Sequence, residues 1–298
     1  MRFGIMEMQL GALVPPPEVS TMEGATTHLA GLDHIKIVKQ LFSAGFNLIE
    51  LAGDLVLFIP HSFTPDRMEK LVAFKEENDI QFTVHLPLWS VEASTLLQPV
   101  RKGSLQALIE MIEATELAEP EVYVLHATGD LAAEFYQMRL PDQAKAFVLR
   151  QFQHNAAESL KTILGETGVP GRKIAIETIE FPFDLTMELA EKFDLSLCLD
   201  IGHVLSGFSG PLDFFDVLEQ CLPRLGEIHL HDSSQHNPER RVIYGEDHQA
   251  LGKGELDVPR LLDRLEEAGF GGPVIFELTV EEALASLEVI RSIRPHVL

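Results

Sequence analysis

Short apolar runs alternate with amphipathic stretches along the whole chain. Arg2 to Glu7 reads as a strand, followed by a Pro-, Gly- and Thr-containing loop from about Gln9 to Leu32. Apolar residues at 35, 37, 38, 41 and 42, behind Asp33 as N-cap and ahead of Gly45, predict a helix over 35–44. Thr64 caps a second helix over 65–78, with Pro65 at its first position. Further helices are expected over 100–118, 142–164, 185–193, 212–222, 258–268 and 281–293. The intervening runs 46–51, 80–86, 121–126, 173–177, 195–200, 226–231 and 273–278 are short and mostly apolar, as strands of a buried parallel sheet are. Eight strands alternating with eight helices in 298 residues predict an α/β fold, a single-domain (β/α)8 barrel spanning 1–298. An open doubly wound sheet is the competing fold, but no Gly-rich phosphate turn follows the first strand to support it.

Composition adds exclusions. The net charge of −23, from 46 acidic and 23 basic residues, repels phosphate backbones, so duplex DNA is not the expected partner. No apolar run reaches the roughly 20 residues that cross a bilayer. The first residues also lack the charged-then-apolar layout of a signal peptide. Two cysteines, Cys198 and Cys221, offer no disulfide framework. A cytoplasmic protein with a small-molecule substrate and no membrane association is expected, its oligomeric state left open. The chain carries no P-loop, no G-x-S-x-G elbow and no CxxC.

In such a barrel the carboxyl ends of all strands face one cleft. There the chain places Glu50, His85, His126, Glu177, Asp200 with His203, His229 with His231, and Glu277. The loop after the seventh strand adds Glu246 and His248. Singly, each has an ordinary explanation: Asp200 as a helix cap, His85 and His126 as hydrogen-bonded core histidines, Glu50 as half of a salt bridge. Together, converging carboxylates and imidazoles without Lys or Arg among them call for a neutralising cation. A mixed His and carboxylate set favours Zn, Mn or Fe over Mg or Ca. His231 shares a face with His229 only if the strand stays regular, and a place beside the cluster is expected for it. Trp89, the single tryptophan, is a candidate stacking wall, and Arg240 with Arg241 is a candidate phosphate contact on a long loop. His28, His34, His61, His154, His236 and His296 fall in helices or loops and are expected to be solvated.

Several stretches carry a family likeness: Gly45 to Leu51, Ile176-Glu177, Leu199-Asp200-Ile201-Gly202-His203, Ile228-His229-Leu230-His231-Asp232, Glu246-x-His248-x-x-Leu251-Gly252-x-Gly254, and Phe276-Glu277-Leu278. Through them the chain resembles the xylose-isomerase-like TIM-barrel superfamily, which includes endonuclease IV (AP endonuclease family 2) and the sugar-phosphate isomerases and epimerases. The resemblance implies a metal site at the C-terminal ends of the strands. In the isomerase branch it implies one divalent metal on Glu177, Asp200, His229 and Glu277. In the endonuclease IV branch it implies three zinc ions, with His85, His126, His203, Glu246 and His248 as further ligands. Glu246 departs from that branch, which has Asp there, and Leu125-His126-Ala127-Thr128-Gly129 replaces its His-Pro-Gly turn. His85-Leu86-Pro87-Leu88-Trp89, with the long first loop, resembles the cobamide-remodelling phosphodiesterase branch.

One metal polarises a carbonyl–hydroxyl pair while two glutamates move a proton; two or three metals activate water and stabilise an in-line displacement at phosphorus. His85, His126, His203 and His248 serve no evident purpose in the first scheme. The expectation is therefore a metal-dependent phosphodiesterase holding one to three Zn, or Mn, per chain, acting on a small-molecule or nucleotide-type substrate. Glu177 would bridge two metals and Glu277 orient the attacking water, with Glu50, Trp89, His231, Arg240 and Arg241 as substrate contacts. A one-metal sugar or sugar-phosphate isomerase/epimerase is the alternative, and a non-catalytic binding protein on a decayed barrel is a third reading.

Overall fold

The computed structural model describes residues 1–8, 21, 24, 27–28, 31–236 and 246–297. Eight parallel strands close into a barrel in chain order: β1 (Arg2–Met6), β2 (Leu48–Ala52), β3 (Gln81–His85), β4 (Tyr123–Leu125), β5 (Ile174–Glu177), β6 (Ser196–Asp200), β7 (Leu225–His229) and β8 (Pro273–Phe276). Closure is made by β1 against β8, with Ile5 level with Phe276. Every residue of β2 and β6 is buried, because one face fills the barrel and the other lies under helices. That is why these strands read as continuous apolar runs.

Around the barrel lie α1 (His34–Ser43), α2 (Pro65–Asn78), α3 (Gln98–Thr115), α4 (Asp130–Gln137), α5 (Asp142–Thr167), α6 (Phe183–Lys192), α7 (Ile201–Leu205), α8 (Phe214–Cys221), α9 (Val258–Glu267) and α10 (Val280–Ile293). Their starts follow local chemistry. Asp33 caps α1, Asp213 caps α8 and Asp257 caps α9, while Thr279 and Glu282 form a capping box on α10. One apolar cluster joins strand residues such as Ile49, Phe82 and Leu199 to helix residues such as Leu71, Leu160 and Leu261. Among the described residues no helix is long and apolar enough to cross a membrane.

Three features depart from the sequence reading. Helix α4 was not expected: it has only eight residues, and the buried ones are Ala132 and Ala133. Helix α7 has only five residues, too few for periodicity, and is started by Asp200, whose Oδ1 accepts the His203 backbone N–H at 2.7 Å. His34 is not solvated. It is buried, with Nε2 2.7 Å from Glu7 Oε2 and Nδ1 2.9 Å from the Ser62 carbonyl, because Glu7 turns inward just past β1.

Candidate metal centre

The last residues of β3, β5, β6 and β7 are His85, Glu177, Asp200 and His229, and His126 and Glu277 stand one residue beyond β4 and β8. Parallel register sets Asp200 level with His229. Glu177 is the centre of the group. Its Oε2 lies 2.9 Å from His126 Nε2 and 3.1 Å from His85 Nε2, and its Oε1 lies 3.5 Å from both His203 Nδ1 and His229 Nδ1. His229 Nδ1 also stands 3.3 Å from Glu277 Oε1 and 3.8 Å from Asp200 Oδ2. One carboxylate therefore serves two flanks, a His85–His126 side and an Asp200–His229–Glu277 side.

A third flank is delivered by the loop after β7. Asp247 Oδ2 is 3.0 Å from His248 Nδ1 and 3.5 Å from His203 Nε2, and His248 Nε2 reaches Glu277 Oε2 at 3.1 Å. Asp232 anchors this loop by accepting the backbone N–H groups of Gly252 and Leu256 at 2.8 and 3.0 Å. The Leu-Gly-x-Gly spacing follows from that anchoring. Gly252 has φ +83°, and a Cβ on Gly254 would stand 2.4 Å from Asp232 Oδ1.

The structure brings His85, His126, Glu177, Asp200, His203, His229, His248 and Glu277 together, and corrects three further expectations. Glu246 is exposed, and its buried neighbour Asp247 faces His203 and His248 in its place. Glu50 does not face the substrate cavity: it is fully buried inside the barrel, beneath His229, in a group with Thr83 and Glu227. His231 is fully buried and off the cavity too, its Nε2 2.9 Å from Asp200 Oδ2 and its ring stacked on His248 at 4.0 Å. Trp89 does line the cavity, half-exposed, with its backbone N–H held by Asp54 Oδ2. Arg240 and Arg241 lie outside the described residues. Sequence reasoning missed Asp247 and Glu227. For Glu227 a signal existed, since it stands two residues before His229 and so on the same strand face.

Carboxylates and imidazoles hold one another in their charged forms. Burial alone would raise Glu177 and Asp200, but the facing histidines hold both well below the usual carboxylate range. Glu277 is likewise brought to about 2, against its burial, mainly by His229 and His248. Burial opposes the charged form of His85 and His248, yet Glu177 raises the first to about 9, and Asp247 and Glu277 raise the second to about 11. Glu227 is pushed well above the carboxylate range by burial and the charge of Glu50. Among the described residues, Glu177, Asp200 and Glu277 pair with imidazoles, and Asp247 faces His203 and His248. Among the described residues, both nitrogens of His229 are buried without a hydrogen-bond partner. Such an orphaned imidazole among carboxylates fits a site for divalent cations. Ligand-type atoms lie within 4.8 Å of one another in His85–Glu177–His229, Glu177–Asp200–His203 and His203–Asp247–His248.

Above the cluster opens a cavity of about 910 Å³, walled by Trp89, Ile179 and Leu278 and, among the described residues, by no Lys or Arg. Residues 38–294 match the family model described as "Xylose isomerase-like TIM barrel". The uncharacterised protein MJ1311 of Methanocaldococcus jannaschii is 21% identical over 252 residues, covering 80% of this chain and 79% of that one. A solved D-tagatose 3-epimerase-like protein superposes with TM-score 0.69 at 18% identity over 100% of both chains. Endonuclease IV from Thermus thermophilus does so with TM-score 0.60 at 19% identity over 98% of both. At these identities the two structures share the fold alone. The family model, which spans most of the chain and all strands from β2 to β8, is decisive: this protein belongs to the xylose isomerase-like TIM barrel family.

Proposed function

We propose that the chain is a metal-dependent phosphodiester hydrolase acting on a small-molecule or nucleotide-type substrate. The observation that carries this reading is the convergence of His85, His126, His203 and His248 on the carboxylates that already surround His229. Such a set offers ligands for more than one divalent cation, Zn or Mn by donor type. When bound, the cations supply Lewis-acid polarisation of phosphoryl oxygens and a lowered pKa for water. Glu177 would hold the His85–His126 flank against the Asp200–His229 flank, and Asp200, His203, Asp247 and His248 would hold the third. Glu277, lining the cavity and paired with His248, would orient the attacking water. Trp89 would stack on a flat part of the substrate. The cobamide nucleotide loop, to which the sequence resemblance points, is a substrate of this kind.

A one-metal isomerase/epimerase is the second reading, favoured by the absence of Lys and Arg from the described cavity lining. Such a lining suits an uncharged sugar better than an anion. Hydrolysis of bis-p-nitrophenyl phosphate separates the two. The wild-type chain is expected to hydrolyse it in a chelator-sensitive way. His126→Ala and His248→Ala are each expected to lower the rate on the order of 100-fold, a loss of about 2.7 kcal/mol in transition-state stabilisation. No hydrolysis by the wild type, or both variants at wild-type rate, supports the epimerase reading instead.

A further inference from the structure

We propose that Glu50 is the positioning residue for His229, accepting its Nε2–H so that the Nδ1 lone pair faces Glu177, Asp200 and Glu277. The contrast with the neighbouring histidines carries the argument. His85 places Nδ1 2.9 Å from the Leu86 carbonyl, His203 places Nδ1 3.1 Å from the Thr178 carbonyl, and His231 places Nδ1 2.5 Å from the Asp247 carbonyl. A carbonyl oxygen only accepts, so all three rings carry their proton on Nδ1 and turn Nε2 to the carboxylates. His229 is turned the other way: its Nδ1 faces the cluster and its Nε2 points down into the barrel.

Among the described residues that Nε2 has no hydrogen-bond partner, and Glu50 Oε1, equally buried and without a partner among them, stands 3.4 Å away. A few tenths of an ångström close this contact into a hydrogen bond. Glu50 sits on β2 and is held by its other oxygen, which lies 3.3 Å from Thr83 Oγ1; that hydroxyl is also 3.2 Å from Glu227 Oε1. A carboxylate on the outer nitrogen of a metal-facing histidine fixes its tautomer and orientation and raises its basicity. Glu50 thus does for His229 what backbone carbonyls do for the other three. The inference concerns cation binding and does not depend on which reaction the centre performs.

Two measurements test it. In the zinc-loaded wild type, nitrogen-resolved NMR of the histidine rings is expected to show His229 with a proton on Nε2 and none on Nδ1, and His85 and His203 with a proton on Nδ1 and none on Nε2. In zinc competition against a chelator, Glu50→Gln, which keeps an acceptor oxygen and the side-chain volume, is expected to weaken binding about 10-fold, and Glu50→Leu about 100-fold. Should Glu50→Leu not fold, Glu50→Gln carries the comparison. An Nδ1-protonated His229, or zinc affinity within about twofold of wild type in the folded variants, overturns the proposal. A wild type that binds no zinc overturns it as well, because His229 then has no ligand role for Glu50 to support.

Discussion

Glu177→Gln is expected to lower phosphodiester hydrolysis on the order of 10³-fold, about 4 kcal/mol of transition-state stabilisation, and to reduce the metal content by at least one ion per chain. Both oxygens of Glu177 are engaged: Oε2 faces His85 and His126, and Oε1 faces His203 and His229. An amide keeps the shape but loses the negative charge, and it turns an N–H toward one of these two sides. That N–H occupies an imidazole lone pair that a cation needs. Because Glu177 joins two flanks, the variant is expected to lose more than a variant of a residue on one flank, such as His126→Ala. Parallel elemental analysis and rate measurement check this. A full metal complement with a rate within tenfold of wild type contradicts the bridging role.

Gly202→Ala is expected to destabilise the protein by about 3 kcal/mol, lowering the Tm by about 5 °C, and to empty the third flank. Two effects compete. Gly202 lies within α7, and replacing a helical glycine by alanine ordinarily stabilises by about 1 kcal/mol. Here the added Cβ would stand 2.2 Å from His231 Cε1, 2.3 Å from His231 Nδ1 and 2.4 Å from the Asp247 carbonyl oxygen. None of these atoms can yield cheaply. The His231 ring is fixed between Asp200 and His248, and the carbonyl is backbone of the loop that carries His248. The clash therefore outweighs the helical gain and displaces Asp247 and His248 from His203. A thermal melt with a metal count decides the matter, and an unchanged Tm with unchanged metal content contradicts it.

Much of this architecture is readable from the chain. Alternation of apolar strand runs with amphipathic helices is a local signal, so the eight strands and their order emerge from residues such as Asp33, Pro65 and Gly45; Thr64, expected as a cap, makes no side-chain cap hydrogen bond. A strand that ends in a polar group also marks its own place at the rim, which is how His85, Glu177, Asp200 and His229 declare themselves. Asp200 shows that the ordinary and the functional explanation can coexist. Its Oδ1 caps α7 while its Oδ2 faces His231 and His229.

What stays hidden depends on tertiary direction. Along a strand the alternation of side chains separates inward from outward, but a loop has no such period, and Glu246 and Asp247 are adjacent carboxylates of which one turns inward. Motif spacing selects Glu246; packing around Asp232 selects Asp247. Glu50 likewise marks a strand but sits one layer too deep for the cavity, a depth set by the register of β2 against β3. His34 meets Glu7 across 27 residues, a pairing no local pattern reveals.

A centre that holds more than one cation is tested most directly by the metal content per chain. Elemental analysis of protein purified without an affinity tag or chelators is predicted to find two or three zinc or manganese ions per chain. A reproducible value of one contradicts it and moves the chain to the one-metal isomerase/epimerase reading.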